Sequence, residues 1–376
     1  MRALMCACAA LAAFGVASPV PAAEVSIPVL VPITGFLSLE GTSQRNGAML
    51  AIRNAPPGLN AHADVADTGT APDVAVNALE RALGREAPTA IVASMLGTQV
   101  LAMLPIAFEH KVPLLTVSGT ASVTEKGNPY VFRFFPGDAI TKVAHVRYAA
   151  EALKAKRLAL IAQTTEYGQS GRAAIEAIAG KLGLDIVFEE SVDVQLRDLS
   201  PVLGKVRATK PDVLLLHLHA GPTALAVRQA AAMNLDIPIV AGSALHQPTT
   251  AALLEPAELR GVCAETNASP VSGGSPEMER FLQQYREQFK SEPDGYALGQ
   301  YDGVMMALQA AAKGATAPAT LTAALSSATY RGLAMTYKSD GKGNMAHSAI
   351  IVCYDGNSRV PRIAKRYDDI DGVLAR

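Results

Sequence analysis

Lys111-Val-Pro-Leu-Leu-Thr-Val-Ser-Gly-Thr120 is the stretch whose reading decides the fold. Val112 to Thr116 is a short, partly β-branched apolar run opened by Pro113, the pattern of a strand buried on both faces in a parallel sheet. Ser118, Gly119 and Thr120 follow at once. Ligands of open α/β sheets collect beyond the carboxyl ends of the strands. Hydroxyls and a glycine placed there offer side-chain OH groups and let backbone N–H and C=O approach a small polar molecule. A plain strand-to-helix turn capped by Ser or Thr uses the same residues, so the neighbouring segments decide.

Upstream, residues 25–33, 62–67 and 89–93 read as strands, with helices from about 43 to 53, 72 to 83 and 99 to 110. Pro56-Pro57-Gly58 stops the first helix. Downstream of Phe135 the rhythm restarts: helices over 139–153, 170–182, 199–208 and 222–233 alternate with strands over 157–162, 185–189, 212–218 and 237–240. The second sheet closes near Val262. A polar break at 267–276 precedes helices at 277–289, 296–312 and 318–326 and strands at 349–354 and 362–366. Strand–helix alternation with right-handed crossovers implies an α/β fold of two Rossmann-like lobes with parallel sheets. The extra helices suggest a return to the first lobe through a multi-strand hinge. The expected division is 24–137 plus 268–328 in lobe 1 and 138–267 plus 329–376 in lobe 2, with a ligand cleft between them. A linear tandem of two domains satisfies the same periodicity.

Composition narrows the function. The chain has 376 residues, 49% of them hydrophobic, enough for two cores, and a formal charge of −1. Nothing basic points to nucleic acid and no amphipathic Lys/Arg helix points to a membrane surface. Aromatic residues make up 5%, with no Trp, so any Tyr near a pocket carries weight. Residues 1–23 read as a signal peptide: Arg2, an apolar core from Leu4 to Val16, then a small-residue cleavage region at Val20-Pro-Ala22 or Ala23. Cys6 and Cys8 lie within that core rather than at its end, unlike a lipoprotein cysteine. Export to the periplasm follows, an oxidising compartment. Cys263 and Cys353 remain, each in an apolar run. Two buried thiols are the expectation; spacing leaves a disulfide open.

Enzyme signatures are absent: no G-x-S-x-G, no P-loop, and no strand-borne G-x-G-x-x-G. Gly341-Lys-Gly343 follows Lys338 and Asp340 rather than a buried strand, and reads as a turn. His217-Leu-His219 at a strand end could offer two imidazoles to zinc in a hydrolase. Only His246 and His347 follow as further His ligands, so one packed His and one cleft His is the expected arrangement. Tyr167 at a helix start offers a ring and a hydroxyl to a cleft ligand. Tyr296 and Tyr301 are five apart, so at most one meets the cleft. Phe132, Phe134 and Phe135 around Arg133 read as packing at a lobe crossing. No cofactor, metal or catalytic group is assigned.

Asn46-Gly-Ala48, Pro113-Leu-Leu-Thr-Val-Ser-Gly-Thr120, Pro129-Tyr-Val-Phe-Arg133, Glu166-Tyr-Gly168, Pro211-Asp212 and Gly261-Val262 together resemble the leucine/isoleucine/valine-binding branch of the type I periplasmic binding proteins, which feed ABC importers. The resemblance spans the whole mature chain. It implies a monomer that closes on a small molecule and meets an ABC permease in the inner membrane. It places the family's carboxylate-binding Thr on Thr120 and the ligand-amine acceptor on the Gly119 carbonyl. The family's cleft aromatics fall on Tyr167, His219 and Tyr296. Leu39 and Glu40 fall beside the ligand side chain, and Met95 and Leu96 where apolar groups line the pocket.

Two positions depart from the pattern. Gly97 stands where the family has a Ser holding the amino acid, with Thr98 adjacent, and Ala244 where amino-acid binders carry a Glu for the ammonium. A buried ammonium without a counter-charge costs several kcal/mol. The expected ligand is therefore a carboxylate lacking the amine, an aromatic or short aliphatic acid. Alternatives are a branched-chain amino acid, a sensor of the same fold, and, remotely, the His-metal hydrolase.

Overall fold

The computed structural model describes residues 22–368 and Ile370; the expected signal core at 4–16 lies outside them. The first lobe supplies β1 (Ala23–Ser26), β2 (Val29–Val31), β3 (Leu59–His62), β4 (Val65–Asp67), β5 (Ile91–Ala93), β6 (Leu114–Thr116) and β7 (Val131–Arg133), five of which form the first sheet. Its order is β4-β2-β5-β6-β7, all parallel, with β1 and β3 pairing in parallel alongside. The expected strand at 25–33 is split at Pro28, which has no N–H to give the ladder. Helices α1 (Ser38–Arg53), α2 (Pro72–Arg85), α3 (Gly97–His110) and the short α4 (Ser122–Glu125) connect the strands.

The second lobe alternates α5 (Asp138–Glu151), β8 (Arg157–Gln163), α6 (Glu166–Leu182), β9 (Asp185–Val192), α7 (Ser200–Thr209), β10 (Val213–His217), α8 (Ala220–Ala232), β11 (Ile239–Ala241), α9 (Pro248–Ala251) and β12 (Val262–Thr266). Next come α10 (Pro276–Phe289), α11 (Gly295–Ala312), α12 (Pro318–Ser327), the hairpin β13 (Thr329–Arg331) and β14 (Thr336–Lys338), then β15 (Ala349–Cys353) and β16 (Arg362–Tyr367). The second sheet runs β16-β15-β12-β11-β10-β8-β9, with β15 and β16 antiparallel additions.

Core membership shows how the chain crosses between lobes. Phe134 packs with the first sheet and Ile140 with the second. Ala264 belongs to the second lobe, while Ala268 packs with Leu50 of α1. Ala346 belongs to the first lobe and Ala349 to the second. Three crossings make the hinge. Val304, Met306 and Leu308 of α11 pack on Val25, Val29 and Val31, so the late helices do return to the first lobe. Tyr337 of the hairpin packs there too, against Phe134 at 5.6 Å between ring centroids. By packing, residues 329–346 therefore go with the first sheet, although they were expected with lobe 2.

The cysteines correct another expectation. Cys263 and Cys353 are directly opposite in the β12–β15 ladder and form a disulfide, with Cα atoms 4.0 Å apart. The pairing follows from β15 returning antiparallel beside β12, which sequence spacing does not disclose. Gly341-Lys-Gly343 is indeed a turn: Asp340 accepts from the backbone N–H groups of Lys342 and Asn344, and both glycines have positive φ.

Candidate functional site

The carboxyl ends of both sheets face one another across a narrow cleft lined by residues of both lobes. The lobes are closed on it. The Ala121 N–H donates to Ser170 Oγ at 2.8 Å and Ser122 Oγ to Glu166 at 3.1 Å. Gln247 Nε2 reaches Asp294 Oδ2 at 2.6 Å, and the Phe36 ring lies 5.3 Å from the His219 ring.

The first wall comes from α1, which starts at Ser38 rather than near Ser43. Residues three apart share a helical face, so Leu37 and Glu40 line the cleft and the expected Leu39 does not. Glu40 is 1% exposed. Its Oε1 accepts the Ala220 N–H at the start of α8, in the other lobe, at 3.0 Å. Its Oε2 has no hydrogen-bond partner. Burial pushes this carboxyl up to about 7.

Asp138, 1% exposed at the start of α5, is the second acid in the lining. Its Oδ2 is likewise without a partner, and burial raises the carboxyl to about 7 against the pull of Lys142. Two acids that the expectation of no counter-charge did not consider therefore line the cleft, and burial favours the neutral form of each. Ala244 does line the cleft without a charge, but the acids come from α1 and α5.

The Ser118–Thr120 loop is fixed from behind. Arg133, 3% exposed, donates to the Thr120 carbonyl at 2.7 Å and to the Gly119 carbonyl at 3.4 Å, and is itself held by Asn344 and Thr124. The Gly119 carbonyl also accepts the Asp138 N–H at 2.7 Å. The oxygen assigned to a ligand amine is thus already engaged by the protein. Thr120 Oγ1 and Ser118 Oγ are buried without partners. A Cβ on Gly97 would lie 2.2 Å from Thr120 Oγ1, so Gly97 is required by the threonine packed against it and leaves no room for a Ser. Gly97 and Thr98 open α3, where first-turn N–H groups have no intrahelical acceptor. Neither residue, nor Thr120, lines the cleft itself.

Tyr167, His219 and Tyr296 meet in the cleft with Met95, Leu96, Gly119 and Ala244. Tyr167 is there because α6 begins at Glu166, capped by Thr165, and not near Ser170 as its sequence suggests. The His219 ring lies 5.2 Å from Tyr167, and its Nε2 is 3.1 Å from Thr165 Oγ1. Burial lowers it to about 4, which keeps it neutral at pH 7. His217 is packed beneath, with Nε2 donating to the Tyr167 carbonyl at 2.9 Å. Tyr296 enters the cleft while Tyr301 packs on Phe281 at 4.9 Å. Phe132 and Phe134 are core, but Phe135 stacks on Tyr296 at 4.9 Å and lines the cleft, which its expected packing role did not include. Thr141 and Ser243 were also missed. An isolated polar residue at a helix start carries no sequence signal of where it points.

Below the floor, Lys142 and His145 both contact Glu265, all buried, and opposite charges hold the glutamate far below the usual carboxylate range despite its burial. Among the described residues no three His, Cys, Asp or Glu side chains converge as metal ligands, and no helix is long and apolar enough to cross a membrane.

A periplasmic binding protein family profile matches residues 24–357. An "amino acid binding protein" of Pseudomonas aeruginosa is 28% identical over 309 residues, covering 78% of this chain and 80% of the relative. The leucine-binding protein LivK of Thermotoga maritima superposes with a TM-score of 0.81 at 23% identity, over 91% of this chain and 98% of that one. A solute-binding protein of an ABC transporter from Rhodopseudomonas palustris, in complex with 3,4-dihydroxybenzoic acid, gives 0.84 at 20% identity, over 94% and 99%. The fold is that of binding proteins rather than enzymes. With two lobes closed on one cleft and a profile match over most of its length, this chain belongs to the periplasmic binding protein family.

Proposed function

We propose that the protein is exported, captures a small carboxylate-bearing solute between its lobes and delivers it to an ABC permease in the inner membrane. The observation that carries the reading is the closed cleft itself, walled from both lobes by Phe135, Tyr167 and Tyr296 and by the neutral His219. Aromatic faces suit a flat or short apolar body. The anionic end is accommodated at the Gly119–Thr120 loop. Gly119 is the part of that loop that lines the cleft; the buried Arg133 guanidinium behind it adds positive charge, and the neutral forms that burial favours in Glu40 and Asp138 lessen their repulsion of a carboxylate. The Rhodopseudomonas neighbour holds a benzoic acid and the Thermotoga neighbour is named for leucine; both ligands carry a carboxylate, which is the feature taken over here. Residues 1–23 support export by their signal-like pattern.

The test is mass spectrometry of small molecules released by denaturing the purified protein, with a thermal-shift panel of benzoates, short aliphatic acids, 2-oxo acids, branched-chain amino acids and the matching neutral amides and alcohols beside it. A ligand that binds only the closed native lobes raises the melting temperature by mass action. A panel in which neutral amides and alcohols shift the protein and no carboxylate does would overturn the assignment.

A further inference from the structure

We propose that Glu40 reads a hydrogen-bond donor on the ligand, a hydroxyl or an ammonium group, and in the same act fastens the second lobe over it. The side chain divides its two oxygens between two tasks. Oε1 takes the Ala220 N–H at the head of α8, a helix of the opposite lobe whose cap residue His219 supplies no side-chain cap. That contact bridges the two lobes. Oε2 is enclosed, lies in the cleft lining and has no partner. A buried carboxyl oxygen without a donor is costly, so the occupant that fits it is one that brings a donor. Asp138 presents a second unpartnered oxygen to the same space. Serine and threonine hydroxyls elsewhere in the lining could accept or donate at will, but an ionised carboxylate only accepts, and a donor or cation on the ligand draws Glu40 into that form. Glu40 therefore discriminates by polarity where the aromatic walls discriminate by shape.

The ligand class that follows is an acid carrying a hydroxyl or amino group, in preference to the bare acid. The inference rests on the carboxylate reading only for the choice of probes. It assigns the specificity to α1, not to the region of Ala244, and ties recognition to closure through one side chain.

Glu40→Gln makes the test sharp. To keep the cap on α8 the amide must turn its oxygen to the Ala220 N–H, which leaves its NH₂ facing the cleft and converts an acceptor into a donor. Calorimetric titrations would compare benzoate with 4-hydroxybenzoate and 4-(aminomethyl)benzoate, and 4-methylpentanoate with leucine, with benzylamine and phenol as donors lacking the acid, on the wild-type protein, Glu40→Gln and Glu40→Ala. Far-ultraviolet circular dichroism confirms that each variant is folded. In the wild type the donor-bearing member of at least one pair binds tenfold or more tightly, the favoured donor identifying hydroxyl or ammonium. In Glu40→Gln that preference falls to parity or reverses, and in Glu40→Ala it disappears with weaker binding throughout. Bare acids binding as well as their donor-bearing partners, or a preference unchanged in Glu40→Gln, would refute the role of Glu40 and leave acid capture standing. Binding of benzylamine or phenol in a Glu40-dependent way, with no acid bound, would refute acid capture and leave Glu40 standing. No binding of any probe would refute both.

Discussion

The resemblance placed Leu39 and Glu40 together beside the ligand side chain. The early start of α1 separates them, bringing Glu40 into the cleft lining and leaving Leu39 out of it. Since burial raises Glu40 to about 7 from an unfolded value near 4.5, the folded protein holds this proton more tightly than the unfolded chain. The resulting stabilisation is fully present below about pH 4.5 and is lost as the pH rises through about 7. Melting curves of the ligand-free protein should therefore show the wild type losing ground to Glu40→Gln between pH 5 and pH 8. A difference that stays flat over that range contradicts the assignment. Using the variant as the reference removes the opposing contributions of His219 and His246, which burial holds low. Among single residues, Tyr167, His219, Tyr296 and Gly119 were legible because each stands at a strand end or helix start, where an open sheet gathers its cleft. Asp138, Thr141 and Ser243 were not, because burial around a polar side chain is a property of the partner lobe and leaves no local mark.

At the scale of elements, alternation made the parallel sheets readable, and glycine, proline and the apolar runs placed most boundaries within a few residues. The errors have physical causes. Pro28 interrupts a continuous apolar run; α1 and α6 begin inside loops rich in polar residues, where a first helical turn looks like a turn. The antiparallel return of β15 beside β12 depends on packing 90 residues apart in the chain, so the Cys263–Cys353 bond was invisible to spacing. Closing a loop of that length restricts the unfolded chain, worth about 2–4 kcal/mol in general. Replacing both cysteines by serine should lower denaturant stability by an amount of that order, and adding reductant to the wild type should reproduce the loss. Equal unfolding midpoints for all three samples would show that the bond contributes nothing.

At the scale of the molecule, two lobes and a cleft were legible from the doubled rhythm, whereas the attachment of the β13–β14 hairpin to the first lobe was not, since its short strands carry no lobe-specific pattern. Closure rests on a handful of polar bridges. Gln247 donates across the cleft to Asp294, which also caps α11 through the Ala297 N–H at 2.8 Å. Gln247→Ala removes the bridge and spares the cap, so it should weaken ligand binding several-fold while the melting temperature of the ligand-free protein stays within a degree or two, as small-angle scattering shows a larger open fraction. Unchanged affinity would mean that this bridge does not help hold the lobes together. The disulfide joins β12 and β15, and these strands lead into two of the three crossings. Welded side by side, those two segments can bend together but cannot slide past each other. An opening that made one of them travel along the other would have to break the bond, whereas a bend shared by both leaves it intact.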